Sequence, residues 1–235
     1  MPEVREGDDL AMLVAQAAER VGGLEDDDVV VVAHKVVSKA EGRVVRLDDV
    51  EPSPQALDLA GDDDPRRLEV ILREAARLVR TRPPLVIAAT RHGFVCASAG
   101  VDSSNASEVG TLVLLPEDPD ASAAVLRQGL LDLTDRRVGM IVSDSFGRAW
   151  RQGTTDVAIG VAGIESLRDL RGQRDATGYE LHATVIALAD EIAGAAELVR
   201  GKTDGVPAAI VRGLAVSGSG SAAELVIPPE RDLFP

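Results

Sequence analysis

The sequence predicts a mixed α+β fold. Short β-branched or apolar runs of strand length, such as 29–32 and 138–142, are interspersed with longer segments carrying apolar residues at helical spacing, such as 120–133. The two kinds alternate irregularly, which disfavours a regular doubly wound sheet, and the chain shows no internal repeat.

In chain order, residues 10–21 form the first helical pattern, with Asp8 or Asp9 as its N-cap. A valine-rich buried strand is expected over 29–37, so that Ser38, Lys39, Glu41 and Arg43 emerge just past its end, where α/β proteins hold anions. A polar, proline-bearing loop spans 47–64, and Pro65 begins a helix expected to reach Arg80. Two β-rich runs, 85–90 and 94–98, flank Arg91, His92 and Gly93 as a hairpin, and 112–115 is a strand stopped by Pro116. Residues 120–133 form a capped amphipathic helix, and the strand 138–142 delivers Ser143, Asp144 and Ser145. The stretch 154–163 is small and apolar, with Gly153, Gly160 and Gly163 suited to tight turns or close packing. An alanine-rich helix is expected over 181–199, with Gly201 as its C-cap, and 208–211 is a last strand. The Gly/Ser run 217–221 reads as a flexible linker, so the folded unit is expected over 1–216 and a linker-like tail over 217–235.

The 235 residues are 45% hydrophobic and 27% charged, enough to bury a substantial core in one domain or two small ones. No apolar stretch nears the roughly 18 residues that span a bilayer, and the acids near Met1 do not suit a secretory signal. A soluble, cytoplasmic protein is expected. The single cysteine, Cys96, excludes an internal disulfide and a multi-thiolate metal site, and its apolar neighbours point to a packed thiol. A net charge of -14 argues against nucleic acid or an anionic membrane as the main partner, and 2% aromatic residues leave little for base stacking. Any phosphate site is therefore local, made of a few placed cations and backbone amides.

Three strand-end groups carry candidate chemistry. Ser38 to Arg43 offers Lys39 as a compact cation for phosphate, although a hairpin with a solvated charged turn explains the segment equally well. No P-loop pattern occurs. Asp102 and Asn105, three residues apart in a small-residue loop, suit a hard cation beside a polar ligand group, or alternatively serve as turn-formers. Asp144 and Ser145 put an acid and a hydroxyl directly after an apolar strand, as magnesium sites of phosphoryl-transfer enzymes do, with helix N-capping as the rival account. Arg148 and Arg151 follow as possible phosphate or acid contacts. His34, His92 and His182 are too scattered for a zinc pattern, and the polar run containing Asp169, Arg174, Asp175, Gly178 and Glu180 reads as a solvated loop. The inventory suits metal-assisted chemistry on a nucleoside triphosphate.

Taken together and in order, Lys35 to Arg43, Ala99 to Asn105, Ser143 to Arg151, Gly153 to Gly160 and Ala189 to Ala193 resemble one family over nearly the whole chain. It is the coenzyme F420-0:L-glutamate ligase family, also called F420 gamma-glutamyl ligases. The resemblance implies a GTP-dependent, amide-forming ligase. In that reaction GTP phosphorylates the terminal carboxylate of the deazaflavin precursor F420-0, and the amine of L-glutamate attacks the acyl phosphate. It further implies gamma-linked addition of more glutamate, two magnesium or manganese ions per subunit, a helpful potassium ion, and an intertwined homodimer of unusual α+β fold.

Carried over position by position, the resemblance makes Asp102 and Asp144 ligands of a first metal and Ser145 a ligand of a second. Lys39, Asn105 and His34 match nucleotide contacts, with His34 standing where relatives often carry serine or glutamine. Met1, Pro2, Glu3 and Val4 fall at a Leu-Pro-x-x nucleotide loop, ahead of which relatives usually carry another strand; without it a sheet edge would lie open. Near Gly201 and Lys202 some relatives place a glutamine or glutamate that helps bind the second metal. A charged lysine cannot ligate, so the Lys202 ammonium is expected to take part of the cation's place or to contact phosphate. The resemblance names no general base. Two rivals stand beside this reading: a nucleotide- and metal-binding module without turnover, and a ligase of the same mechanism on another carboxylate.

Overall fold

A computed structural model describes residues 1–106 and 108–233. Its first helix, α1 (Leu10–Glu19), is capped by Asp9, whose carboxylate accepts from the Met12 amide. Strand β1 (Val29–Ala33) ends four residues short of the expected 37, because the chain turns at His34 into α2 (His34–Ala40). The valines at 36 and 37 favour a strand locally, but His34, Val37 and Ser38 share one helical face and are buried, so packing overrides propensity. Ser38 and Lys39 therefore project from a short helix rather than from a strand end.

Strand β2 (Val44–Arg46) is followed by α3 (Pro54–Ala60) inside the segment expected to be loop. The Ser53 hydroxyl accepts from Ala56 N and Pro54 occupies the first turn, a start signal that the surrounding prolines and acids obscured. Helix α4 (Pro65–Glu74) stops six residues before the expected Arg80 and continues as β3 (Ala75–Arg82), which pairs antiparallel with β4 (Leu85–Thr90). A neighbouring strand decides that switch, which local helix propensity opposes. The hairpin expected around Arg91 to Gly93 is present between β4 and β5 (Val95–Ala97), and β6 (Thr111–Val113) pairs with β2.

Helix α5 (Pro119–Thr134) precedes β7 (Gly139–Arg148) and β8 (Arg151–Ala162), a long antiparallel hairpin. Gly160 makes β8 fit: a Cβ there would run into the Pro119 carbonyl at the head of α5. Two short strands, β9 (Arg168–Asp169) and β10 (Val185–Ile186), precede α6 (Leu188–Arg200), so residues 181–187 are not helical as expected. Gly201 ends α6 at φ 62°, and β11 (Ala208–Val211) closes the set.

The central sheet runs β11-β1-β7-β8, with β1 and β7 parallel and the two outer pairs antiparallel. Alternation along the strands builds two cores: Val30, Val32, Met140 and Val142 meet α1 and α5, while Val29, Val31 and Ile141 meet α6. A third core, including Leu68, Ile71, Val86, Ala88 and Leu112, holds α3 and α4 against β3 to β6. The arrangement is the mixed α+β expected. The run read as a flexible linker is hydrogen-bonded to the body: Gly218 and Gly220 donate to the Gly163 and Ile164 carbonyls, and buried Ala222 donates to Asp120 Oδ1. Among the described residues no helix is long and apolar enough to cross a membrane.

Candidate functional site

Strands β1 and β7 are the one parallel pair of the central sheet, and their carboxyl ends open side by side, with Ala33 beside Ser143. That is the edge at which open α/β sheets receive ligands. A cleft of about 400 Å³ lies there. Helix α2 supplies His34, Lys35 and Lys39, and β7 supplies Ser143, Asp144 and Ser145. The N-terminal segment, tied to α2 through Gly7 N and Ala40 O, adds Met1, Pro2, Glu3 and Val4. Asn105 and the turn after α6, with Gly201 and Lys202, also line the cleft, and Asn105 Nδ2 donates to Lys202 O at 3.5 Å. Of the residues that the family resemblance assigned to the site, Asp102 is set back from the lining, and Arg148 and Arg151 do not line it either. Asp102 is joined to the site by Lys35, whose Nζ lies 2.6 Å from Asp102 Oδ2 and donates to the Ser104 carbonyl and hydroxyl.

Lys35, Lys39 and His34 of α2 each face an acid. Lys39 is 6% exposed, and its Nζ meets Glu3 Oε1 at 2.6 Å. His34 Nε2 lies 3.3 Å from Asp144 Oδ1 but out of line for a hydrogen bond, so the contact is electrostatic when the ring is charged. Burial pushes the Asp144 carboxyl up, but the charge of His34, the Ser145 amide and the charge of Lys35 together hold it below the ordinary range. For Asp102 burial again opposes, and Lys35 with the Ser104 amide again prevails, so this carboxyl too is lowered. The Ser104 amide also closes a turn on Asp102, so the turn-forming account of this aspartate holds alongside its ion pair.

Adjacent strand residues face opposite sides of a sheet, so Asp144 turns toward α2 while Ser145 turns toward α6. On the α6 side stands a group that sequence reasoning missed. Ser145 Oγ donates to Asp156 Oδ1 at 2.7 Å, Ser143 Oγ donates to Asp156 Oδ2 at 2.9 Å, and Arg200 at the end of α6 pairs with Asp156. Asp156 lay within a quoted motif and Arg200 stood beside the expected C-cap, yet neither spacing reveals that a hairpin and a helix end converge. Lys35 was visible in the first motif and carried no role.

The remaining candidates lie elsewhere. Cys96 is buried, and burial, reinforced by the charge of Asp144, pushes its thiol up to about 12, as suits a packed thiol. His92 stacks on Phe94, and His182 lies 4.0 Å from Glu180. The polar run 169–180 is exposed and self-bonded, with Arg174 bridged to Glu180 and Asp175 capping Thr177, and does not line the cleft.

A model of the F420-0:Gamma-glutamyl ligase family matches residues 1–213. A protein named coenzyme F420:L-glutamate ligase from Methanopyrus kandleri is 50% identical over 240 residues, covering 99% of this chain and 93% of its own. Proteins of the same name from Methanothermobacter thermautotrophicus and Archaeoglobus fulgidus are 43% and 42% identical, over 100% of this chain and 95% and 93% of theirs.

Proposed function

Because the chain belongs to the F420-0:gamma-glutamyl ligase family, we propose that it is a ligase of coenzyme F420 biosynthesis, joining L-glutamate to the deazaflavin precursor F420-0 at the expense of GTP and gamma-linking further glutamate. The observation that carries this reading is the cleft itself. In a chain of net charge -14, Lys35, Lys39, Arg200 and Lys202 gather with His34 at the open end of a parallel strand pair, beside the acids Glu3, Asp144, Asp156 and Glu197.

In this reading Lys39 meets a phosphate oxygen once Glu3 has moved aside, and Asn105 with the Met1 to Val4 segment holds the nucleotide. Phosphoryl transfer asks chiefly for positioning and charge neutralisation, which buried cations on a rigid helix supply. The glutamate amine then attacks the acyl carbon of the acyl phosphate: the C–N bond forms, the C–O bond to phosphate breaks, the nitrogen loses a proton, and phosphate departs as a weakly basic leaving group. Among the described residues no three His, Cys, Asp or Glu side chains gather to hold a metal by themselves. Magnesium and manganese suit such a site, since magnesium takes one or two carboxylates and completes its shell with substrate phosphates and water. The donors present, Asp144, Ser145 and Asp102 behind Lys35, are all oxygens, which fits that chemistry. When bound, the ions would neutralise charge on the triphosphate and the transferring phosphoryl group. Potassium, and pairing of two subunits as a homodimer, belong to the same reading.

GDP release measured with each component left out in turn tests the reaction type. GDP should appear only when precursor and glutamate are both present. GTP binding without GDP release would favour a module that does not turn over, and GDP release with a different carboxylate in place of the precursor would move the assignment to another acceptor.

A further inference from the structure

Asp156 is 3% exposed on β8, opposite Ser145 in the strand register. Ser143, two residues earlier on the same strand face, is opposite Ala158 and so a diagonal neighbour of Asp156, and both serines reach it. Ser145 donates to one carboxylate oxygen, Ser143 to the other, and the Arg200 guanidinium, itself 2% exposed, pairs with the second and also donates to Ser143 Oγ at 2.8 Å. Among the described residues, Arg200 Nε and Nη1 are buried without a hydrogen-bond partner. Removing one member of a buried pair is costly, but replacing the whole pair by apolar groups is often neutral or better. A guanidinium left partly unsatisfied is therefore a poor device for stability alone, and such exceptions concentrate at functional sites.

The chemistry of the hydroxyl points to the use. A serine hydroxyl has one proton and two lone pairs. With its proton given to Asp156, Ser145 presents lone pairs to the cleft and can act there only as an acceptor. We propose that Asp156, held by Arg200, is a positioning residue that fixes the Ser145 hydroxyl as an oxygen donor for a divalent cation accompanying the nucleotide. It acts as outer-shell carboxylates do when they orient metal ligands. The proposal rests on the functional reading above and adds to it two residues which that reading does not use.

Titration of manganese into the protein-GDP complex, followed by electron paramagnetic resonance, tests it without turnover. Asp156→Asn keeps the shape of the side chain but presents an amide donor, which frees the Ser145 hydroxyl to turn. Manganese affinity should fall by about 10- to 100-fold, with the melting profile still cooperative. Ser145→Ala should lower affinity similarly, and the double variant should be no worse than either single one, because Asp156 acts through Ser145. If Asp156→Asn does not fold, Arg200→Lys, which keeps the charge, enters the same cycle and should weaken binding only where Ser145 is present. Wild-type manganese affinity in a folded variant, or additive losses in the cycle, would overturn the proposal alone. A wild-type complex that binds no manganese would overturn the functional reading and this proposal with it.

Discussion

Glu3 Oε1 stands 2.6 Å from Lys39 Nζ, where an oxygen of a bound phosphate would stand if Lys39 is the nucleotide's contact. The protein's own carboxylate then competes with the substrate. Glu3 is 59% exposed at its side chain, so solvent screens the pair and its strength is modest. Glu3→Gln should lower the KM for GTP by about two- to fivefold with little change in kcat; an unchanged or higher KM would show that the acid does not stand in the substrate's way. Asp102 and Asp144 are held below the ordinary carboxylate range by cations that face them from α2. Alanine at either position should abolish GDP release while circular dichroism and melting remain near wild type. Full activity in both variants would sink the cation-binding role assigned to them.

Between elements, Asp28 and Arg212 join the start of β1 to the end of β11. The guanidinium donates to both oxygens of a carboxylate that is 1% exposed. Burial pushes the Asp28 carboxyl up, but the hydrogen bonds from Arg212, the Glu25 amide and the charge of Arg212 outweigh it, and the native value falls below 3.8. A lowered native value means that the carboxylate's contribution is complete above the unfolded value of 3.8 and is lost as pH falls through the native one. Asp28→Asn should therefore cost about 2 kcal/mol near neutrality, and denaturant melts repeated at falling pH should show the gap to wild type narrowing below 3.8. A gap that stays constant with pH would contradict the linkage. Elements set by local signals were legible: Asp9 and Gly201 bound their helices where expected, and the turn at Arg91 to Gly93 joins two strands. Elements decided by distant partners were not. Strand β3 exists because β4 pairs with it, and α2 begins at His34 because one face of that segment is buried.

Across the whole molecule, the site draws on the N-terminus, α2, the loop at Asn105, the end of β7 and the turn after α6. Local chemistry pointed to Lys39 after a valine run, to Asn105 in a small-residue loop and to Asp144 with Ser145 after an apolar strand, whereas Met1 to Val4, His34, Gly201 and Lys202 came only from the family resemblance. What neither could show is that α6 ends over β8, so that Arg200 meets Asp156 and through it Ser145. Nor does spacing show that Lys35 draws the set-back Asp102 toward the cleft. An amide bond between a deazaflavin precursor and glutamate is the product proposed for this cleft. Mass spectrometry of the precursor after incubation of the folded protein with GTP, L-glutamate and manganese tests it most directly. The precursor should gain at least one glutamyl residue, with one GDP formed per residue added; a precursor of unchanged mass would contradict the assignment.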